Sequence, residues 1–216
     1  MNWLPFYNSL LLGIFIVSLF LWKLLGFFFL TILLIFSIIF FYQENIFSYK
    51  HYLDSFYMFI LSEILIFGSL LTGCLWFFDE SKINLSNYLE IPLFGTALLL
   101  GSSFTVSLYH SNNIVPFWLS QYFMFLTILL GVGFILLQVV EFGDCLWSFS
   151  SSSYTGCCFA VISLHLSHVF IGLILLILLF LLPKYNIETY YNDLIVIYWH
   201  FVDYVWLFVY FVVYIL

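Results

Sequence analysis

The chain has 216 residues, 65% hydrophobic and only 7% charged, with a formal net charge of −7 and a mean hydropathy of +1.18. No water-soluble domain covers that much apolar surface with so few charges, so the composition predicts an all-α integral membrane protein. It excludes nucleic-acid binding, because the only cations are Lys23, Lys50, Lys82 and Lys184 and they form no basic patch; the acids are scattered singly through loops and call for no basic partner.

The first 21 residues carry no positive charge, so neither an Arg-rich transit peptide nor the charged start of a secretory signal is expected. Insertion by an internal span and synthesis inside an organelle both fit. The 29 Phe and 16 Tyr, set against Ala97 and Ala160 alone, suggest an A+T-rich coding sequence of the kind small organellar genomes carry.

A membrane helix needs about 20 apolar residues. Charges, prolines and polar clusters divide the chain into seven such stretches, near 6–22, 24–42, 54–78, 91–110, 118–142, 154–182 and 194–215. Lys23 and Gly26 mark a tight first turn, and Gln43 to Asp54 a polar loop. Asp79 to Glu90 is the most polar run, and Pro92 falls in the first turn of the next helix, where a missing N–H is harmless. His110 to Pro116, Gly143 to Ser153 and Pro183 to Asn192 supply the remaining loops. With seven spans the lysines divide evenly, two to each side, so the positive-inside rule gives no orientation. No repeat, linker or soluble domain interrupts 1–216, which reads as one membrane domain.

Within the third span, Glu63 lies about nine residues in, ~14 Å deep, near the bilayer midplane. A carboxyl group there is either protonated or paired with a donor. It serves packing, or a proton-linked or lipid-linked role. Glu141 and Asp144 close the fifth span three residues apart and read as a solvated helix end. In the sixth span His165 and His168 share a face, with Ser163, Ser167 and Gly172 offering a small-residue surface. Metal or haem ligation, a proton relay and structural or lipid-contacting hydrogen bonds compete for them.

His200 and Asp203 share a face of the seventh span and can form a buried imidazole–carboxyl pair, beside a separate stripe of Trp199 and Trp206 that serves packing or interface anchoring. Haem ligation by His168 and His200 needs matched depths. The span bounds place His200 ~9 Å from one end and His168 ~21 Å from the other end of a longer helix, a poor match. Two histidines on one helix also lack further metal ligands unless Glu63 or Asp203 supplies one. Cys74, Cys145, Cys157 and Cys158 show no metal spacing and read as small packing residues.

These motifs together resemble the subunit III family of the haem-copper oxidases, typified by mitochondrial cytochrome c oxidase. Tyr198-Trp199-His200-Phe201-Val202-Asp203 followed by Val205-Trp206-Leu207-Phe208 is similar to the family's last-helix signature. Ser62-Glu63, Leu89-Glu90-Ile91-Pro92-Leu93, Leu130-Gly131 through Gln138 to Glu141, and His165-Leu166-Ser167-His168-Val169-Phe170-Ile171-Gly172 follow in the family's order. The likeness is weak before about residue 52.

The resemblance implies a seven-helix bundle split into helices 1–2 and 3–7, with phospholipid in a cleft between the two groups. It implies no catalytic residue, metal or haem in this chain. Subunit I, holding haem and copper, with subunit II and accessory subunits, would be its partners, and respiratory supercomplexes are a further possible setting. By the same resemblance it supports proton uptake and protects the complex during turnover, in the mitochondrial inner membrane with its N-terminus in the matrix. Glu63 matches the family's carbodiimide-reactive glutamate, and His200 with Asp203 its signature pair. The two loops before and after the third span look short for the family. The arginines it places near lipid head groups have no counterpart here, so Lys50 or a neighbouring subunit would have to replace them. Three other readings are open: the third subunit of a quinol oxidase, a b-type cytochrome using His168 and His200, and a transporter with Glu63 and Asp203 as proton relay.

Overall fold

Runs of Leu, Ile, Phe and Val long enough to cross hydrocarbon must satisfy every backbone N–H and C=O internally, and the α-helix does so within one segment. The computed structural model describes residues 4–21, 24–46, 53–78, 86–111, 116–145, 147, 149–181 and 189–216. Among them are seven helices and no strand: α1 (Leu4–Phe20), α2 (Leu24–Ile46), α3 (Leu53–Trp76), α4 (Ile91–His110), α5 (Phe117–Asp144), α6 (Ser153–Leu181) and α7 (Thr189–Tyr210), the last closing in a π-helical turn over Phe211–Ile215. The protein is an all-α, multi-pass membrane bundle. Five helices, α3 to α7, are long and apolar enough to cross a bilayer.

Helix positions follow the apolar runs closely. The largest difference is at α7, which begins at Thr189 rather than near 194, because Asn192 and Asp193 find partners on α4 and need not sit in a loop. Gly26, expected in the first turn, lies within α2. The four lysines, and with them the orientation count, fall outside the described residues, as do 22–23, 47–52, 79–85, 112–115 and 182–188 of the expected loops.

The chain resolves into two compact units, 1–53 and 54–216. In the first, α1 and α2 form an antiparallel hairpin in which Tyr7 Oη donates to the Leu33 carbonyl at 3.1 Å and Ser37 Oγ donates to Asn8 Oδ1 at 2.6 Å. In the second, α4, α5, α6 and α7 close a ring of neighbouring contacts in which α4 meets both α5 and α7, and α6 meets the same two. Its centre is filled by Trp199, Trp206, Phe134, Leu99, Met124 and Ile162, all almost fully buried. Along α3, by contrast, only Phe67 and Cys74 are buried.

Trp199 fixes how closely the ring closes. A Cβ added at Gly131 of α5 would lie 2.9 Å from Trp199 Cη2, and one at Gly172 of α6 would lie 2.9 Å from Trp199 Cε3. The indole therefore occupies a slot that only glycine leaves open on both neighbours, and its Nε1–H donates to Ser102 Oγ of α4 at 3.1 Å. One side chain of α7 thus joins three other helices by close packing, the main source of helix association in lipid.

Candidate functional site

Ten residues into α3 from Leu53, about 15 Å along the axis, Glu63 meets α6: His168 Nε2 lies 3.1 Å from Glu63 Oε2. The other ring nitrogen, Nδ1, is 2.8 Å from the Leu164 carbonyl one turn back. A carbonyl oxygen only accepts, so Nδ1 carries a hydrogen and donates it. Nε2 is then an acceptor from a protonated Glu63, or the second donor of an imidazolium facing a carboxylate. In both states the pair has zero net charge and holds one bridging proton, which is how two ionisable groups can sit together at membrane depth. The two side chains are 10% and 15% exposed, and Phe67 packs edge-on to the His168 ring at 5.3 Å.

His165, one turn earlier, turns toward α7. Its Nε2–H donates to the Val202 carbonyl at 3.1 Å, and its ring lies 4.9 Å from Trp206 and 5.7 Å edge-on from Phe134. It is wholly buried and ties two helices together. His200 and His168 do not face one another. With α7 starting at Thr189, His200 is about 16 Å along its helix, deeper than the expected span start implied, but it bonds α4 instead: Ser103 Oγ is 2.7 Å from Nδ1 and Ser107 Oγ 3.3 Å from Nε2. Ser107 donates its own hydrogen to the Ser103 carbonyl, so it accepts from Nε2–H, and a neutral His200 accepts from Ser103 at Nδ1.

The spacing of His200 and Asp203 suggests a direct pair, which the structure does not form. Asp203 is 3% exposed and both its oxygens lack a hydrogen-bond partner; His200 prefers the two serines that α4 places one turn apart. Trp206, like Trp199, is core rather than an interface anchor, packing edge-on to Phe134 at 4.8 Å. At the rim of the α4–α7 seam, His110 Nε2 and Asp193 Oδ1 stand 2.9 Å apart, both half exposed, and Tyr109 Oη donates to Asn192 Oδ1 at 2.9 Å.

Glu141 departs from the solvated helix end expected of it. It is 6% exposed, with Oε1 accepting from Ser86 Oγ at 2.8 Å and Oε2 from Gln138 Nε2 at 2.7 Å. Asp144 remains exposed. Glu141 thus holds the segment leading into α4, which Tyr210 secures again by donating to the Tyr88 carbonyl at 3.0 Å. Replacing Glu141 with Ala should free residues 86–90 and speed proteolysis between α3 and α4 several-fold, while Asp144→Ala leaves it unchanged; limited proteolysis with mass mapping reads both.

The partners Ser86, Ser102, Ser103, Ser107 and Gln138 escaped sequence reasoning. A signal was there for the α4 pair, since Ser103 and Ser107 repeat at helical spacing, but Thr96, Ser102 and Thr105 share that span and serines of membrane helices commonly bond their own backbone, as Ser62 does to Phe59 at 2.7 Å. Among the described residues no three His, Cys, Asp or Glu side chains converge as a metal set.

The order of these motifs along the helices has a counterpart among known proteins. Residues 45–216 match the family model described as cytochrome c oxidase subunit III. The chain belongs to the cytochrome c oxidase subunit III family. Among its relatives, cytochrome c oxidase subunit 3 of Hippopotamus amphibius is 34% identical over 178 residues, covering 73% of this chain and 66% of that protein. That of Ovis aries is 33% identical over 180 residues, with the same coverages. The Bacillus sp. (strain PS3) protein of the same name is 31% identical over 176 residues, covering 74% of this chain and 84% of the relative. The chain therefore spans about two thirds of the length of the mammalian proteins. Within this family, α3 to α7 carry the matched region and α1 lies before it.

Proposed function

We propose that this chain is a non-redox core subunit of a cytochrome c-oxidising, proton-translocating terminal oxidase. On this reading it packs on the subunit that holds haem and copper, assembles with a second core subunit and accessory chains, holds structural phospholipid and supports proton uptake and durability during turnover. The reading places it in the mitochondrial inner membrane. Its support is membership of the subunit III family together with one observation: the only acidic or basic side chain within α3 beyond its first turn, Glu63, is hydrogen-bonded to His168 at mid-span rather than exposed to lipid. Such a pair can hold a proton, and pass it between its two members, without placing net charge in hydrocarbon.

Native purification tests the assignment. The chain should co-migrate with haem-bearing oxidase subunits and itself retain none; stoichiometric haem on the isolated chain, in a pyridine haemochrome assay, would overturn the proposal. For the pair, Glu63→Gln should leave the haem content of the complex intact, since a Gln amide can still donate to His168 Nε2, while abolishing carbodiimide labelling at position 63, mapped by mass spectrometry apart from the exposed Asp54 in the first turn of α3. Labelling that persists would remove Glu63 from the proposal.

A further inference from the structure

The seam between α3 and α6 has a second contact that no part of this reading uses. Eleven residues beyond Glu63 on α3, and ten before His168 on α6, Cys74 Sγ and Cys158 Sγ face each other at 3.9 Å. The matching displacement is what two antiparallel helices in contact produce. Both thiols are sealed, at 1% and 0% exposure. The adjacent Cys157 also faces α3, its Sγ lying 3.6 Å from where a Cβ on Gly73 would stand, but the sulfur-to-sulfur contact with Cys74 is made by Cys158. Because α3 buries only Phe67 and Cys74, few contacts hold it, and a bond here would change its attachment more than a bond elsewhere in the bundle.

We propose that Cys74 and Cys158 form an oxidisable dithiol, which a hydroperoxide converts into a disulfide that staples α3 to α6. In the first step one sulfur, giving up its proton, attacks a peroxide oxygen; the O–O bond breaks, a sulfenic acid forms and, for hydrogen peroxide, water leaves. In the second, the facing thiol attacks the sulfenic sulfur, the S–O bond breaks and a second water is released. Two thiols are oxidised by two electrons in total, and one peroxide is reduced to two waters. Hydrogen peroxide is small and uncharged, so it can reach a site closed to larger oxidants.

Geometry and burial favour this product. Disulfide sulfurs lie about 2.05 Å apart, so the pair must close by about 1.9 Å, within reach of side-chain rotation and a small adjustment of a lightly held helix. A soft monovalent cation such as Cu(I) is the other guest two thiols could take. Two thiolates around it would leave a net negative charge in an apolar seam, whereas the disulfide is neutral.

The experiment uses the intact complex in native membranes. It is exposed to hydrogen peroxide, denatured, alkylated at the remaining thiols, digested and analysed by mass spectrometry. The expected result is the Cys74 peptide joined to the Cys158 peptide, two hydrogens lighter than the separate pair and released by a phosphine reductant. Alkylation of both cysteines falls together while Cys145 stays alkylated, and Cys157→Ser leaves the cross-link in place. Full alkylation of Cys74 and Cys158 at a dose that converts Met58 to its sulfoxide would overturn the proposal. So would sulfinic acid on separate cysteines, a Cys157–Cys158 disulfide, or copper retained with no linked peptide.

Discussion

Gly172→Ala and Gly131→Ala should each destabilise the bundle by about 1–3 kcal/mol, the usual cost of overpacking a filled core. The two substitutions add one methyl group each, on different helices, yet both strike the same object. At Gly172 the new Cβ would lie 2.9 Å from Trp199 Cε3, and at Gly131 it would meet Leu173 Cδ2 at 2.7 Å as well as Trp199 Cη2 at 2.9 Å. An indole ring cannot flex, and this one is held at its far edge by the bond from Nε1 to Ser102, so α7 itself has to move. The double variant should cost less than the sum, because one displaced tryptophan accommodates both. Gly68→Ala, where nothing lies within 4 Å of the added atom, should be neutral or slightly stabilising, since Ala is the better helix former. The midpoint of thermal unfolding of the purified complex reads the series. Equal midpoints for Gly68→Ala and Gly172→Ala would mean that Trp199 does not set the helix spacing.

His168→Leu should cost more than Glu63→Leu. Removing the histidine leaves a carboxyl group between two helices with nothing to accept its proton; removing the glutamate leaves a ring that keeps its bond to the Leu164 carbonyl and has only a lone pair unfilled. Lone buried carboxyl groups are among the costliest groups to strand. The double-mutant cycle then reports the state of the pair. A neutral hydrogen bond within a membrane bundle couples by about 0.6 kcal/mol and at most about 1.7, whereas close charge pairs shielded from water couple by about 1.5–7 kcal/mol. A coupling in the lower range, together with a protonated-carboxyl infrared band lost in Glu63→Gln, identifies the neutral form. A coupling near zero would show that the two groups do not interact at all.

The architecture was legible because bilayer thickness forces apolar runs of fixed length, and the breaks in this chain are chemically plain. The family fingerprint was legible from α3 onward for a related reason: Glu63, Glu141, His165, His168, His200 and Asp203 are rare polar interruptions in spans that otherwise look alike. Partners were another matter. Spacing along one helix shows which residues share a face, and so it paired His200 with Asp203; the azimuth of α4, which no single helix encodes, gave His200 to Ser103 and Ser107 instead. The same limitation misplaced Glu141, because its burial depends on a segment 55 residues away reaching back with Ser86. It also hid Cys74 and Cys158, separated by 84 residues and unremarkable until α3 and α6 are laid side by side. His168 met Glu63 for a reason the sequence did carry in part, since each is a mid-span group in hydrocarbon that has to find another polar group.

The anchoring of His168 to its own helix has one more consequence. A conducting imidazole takes up a hydrogen ion at one nitrogen and lets another go from the opposite nitrogen, so it needs two open doors. Here Nδ1 faces the Leu164 carbonyl, which can receive a hydrogen bond but cannot carry an ion onward. As seated, the ring has a single doorway, the one toward Glu63, and whatever enters there must leave by the same route. Glu63 and His168 therefore form a cul-de-sac in which one proton can pass between the two groups with no change of net charge, and through-traffic would first require the ring to swing free of its own helix.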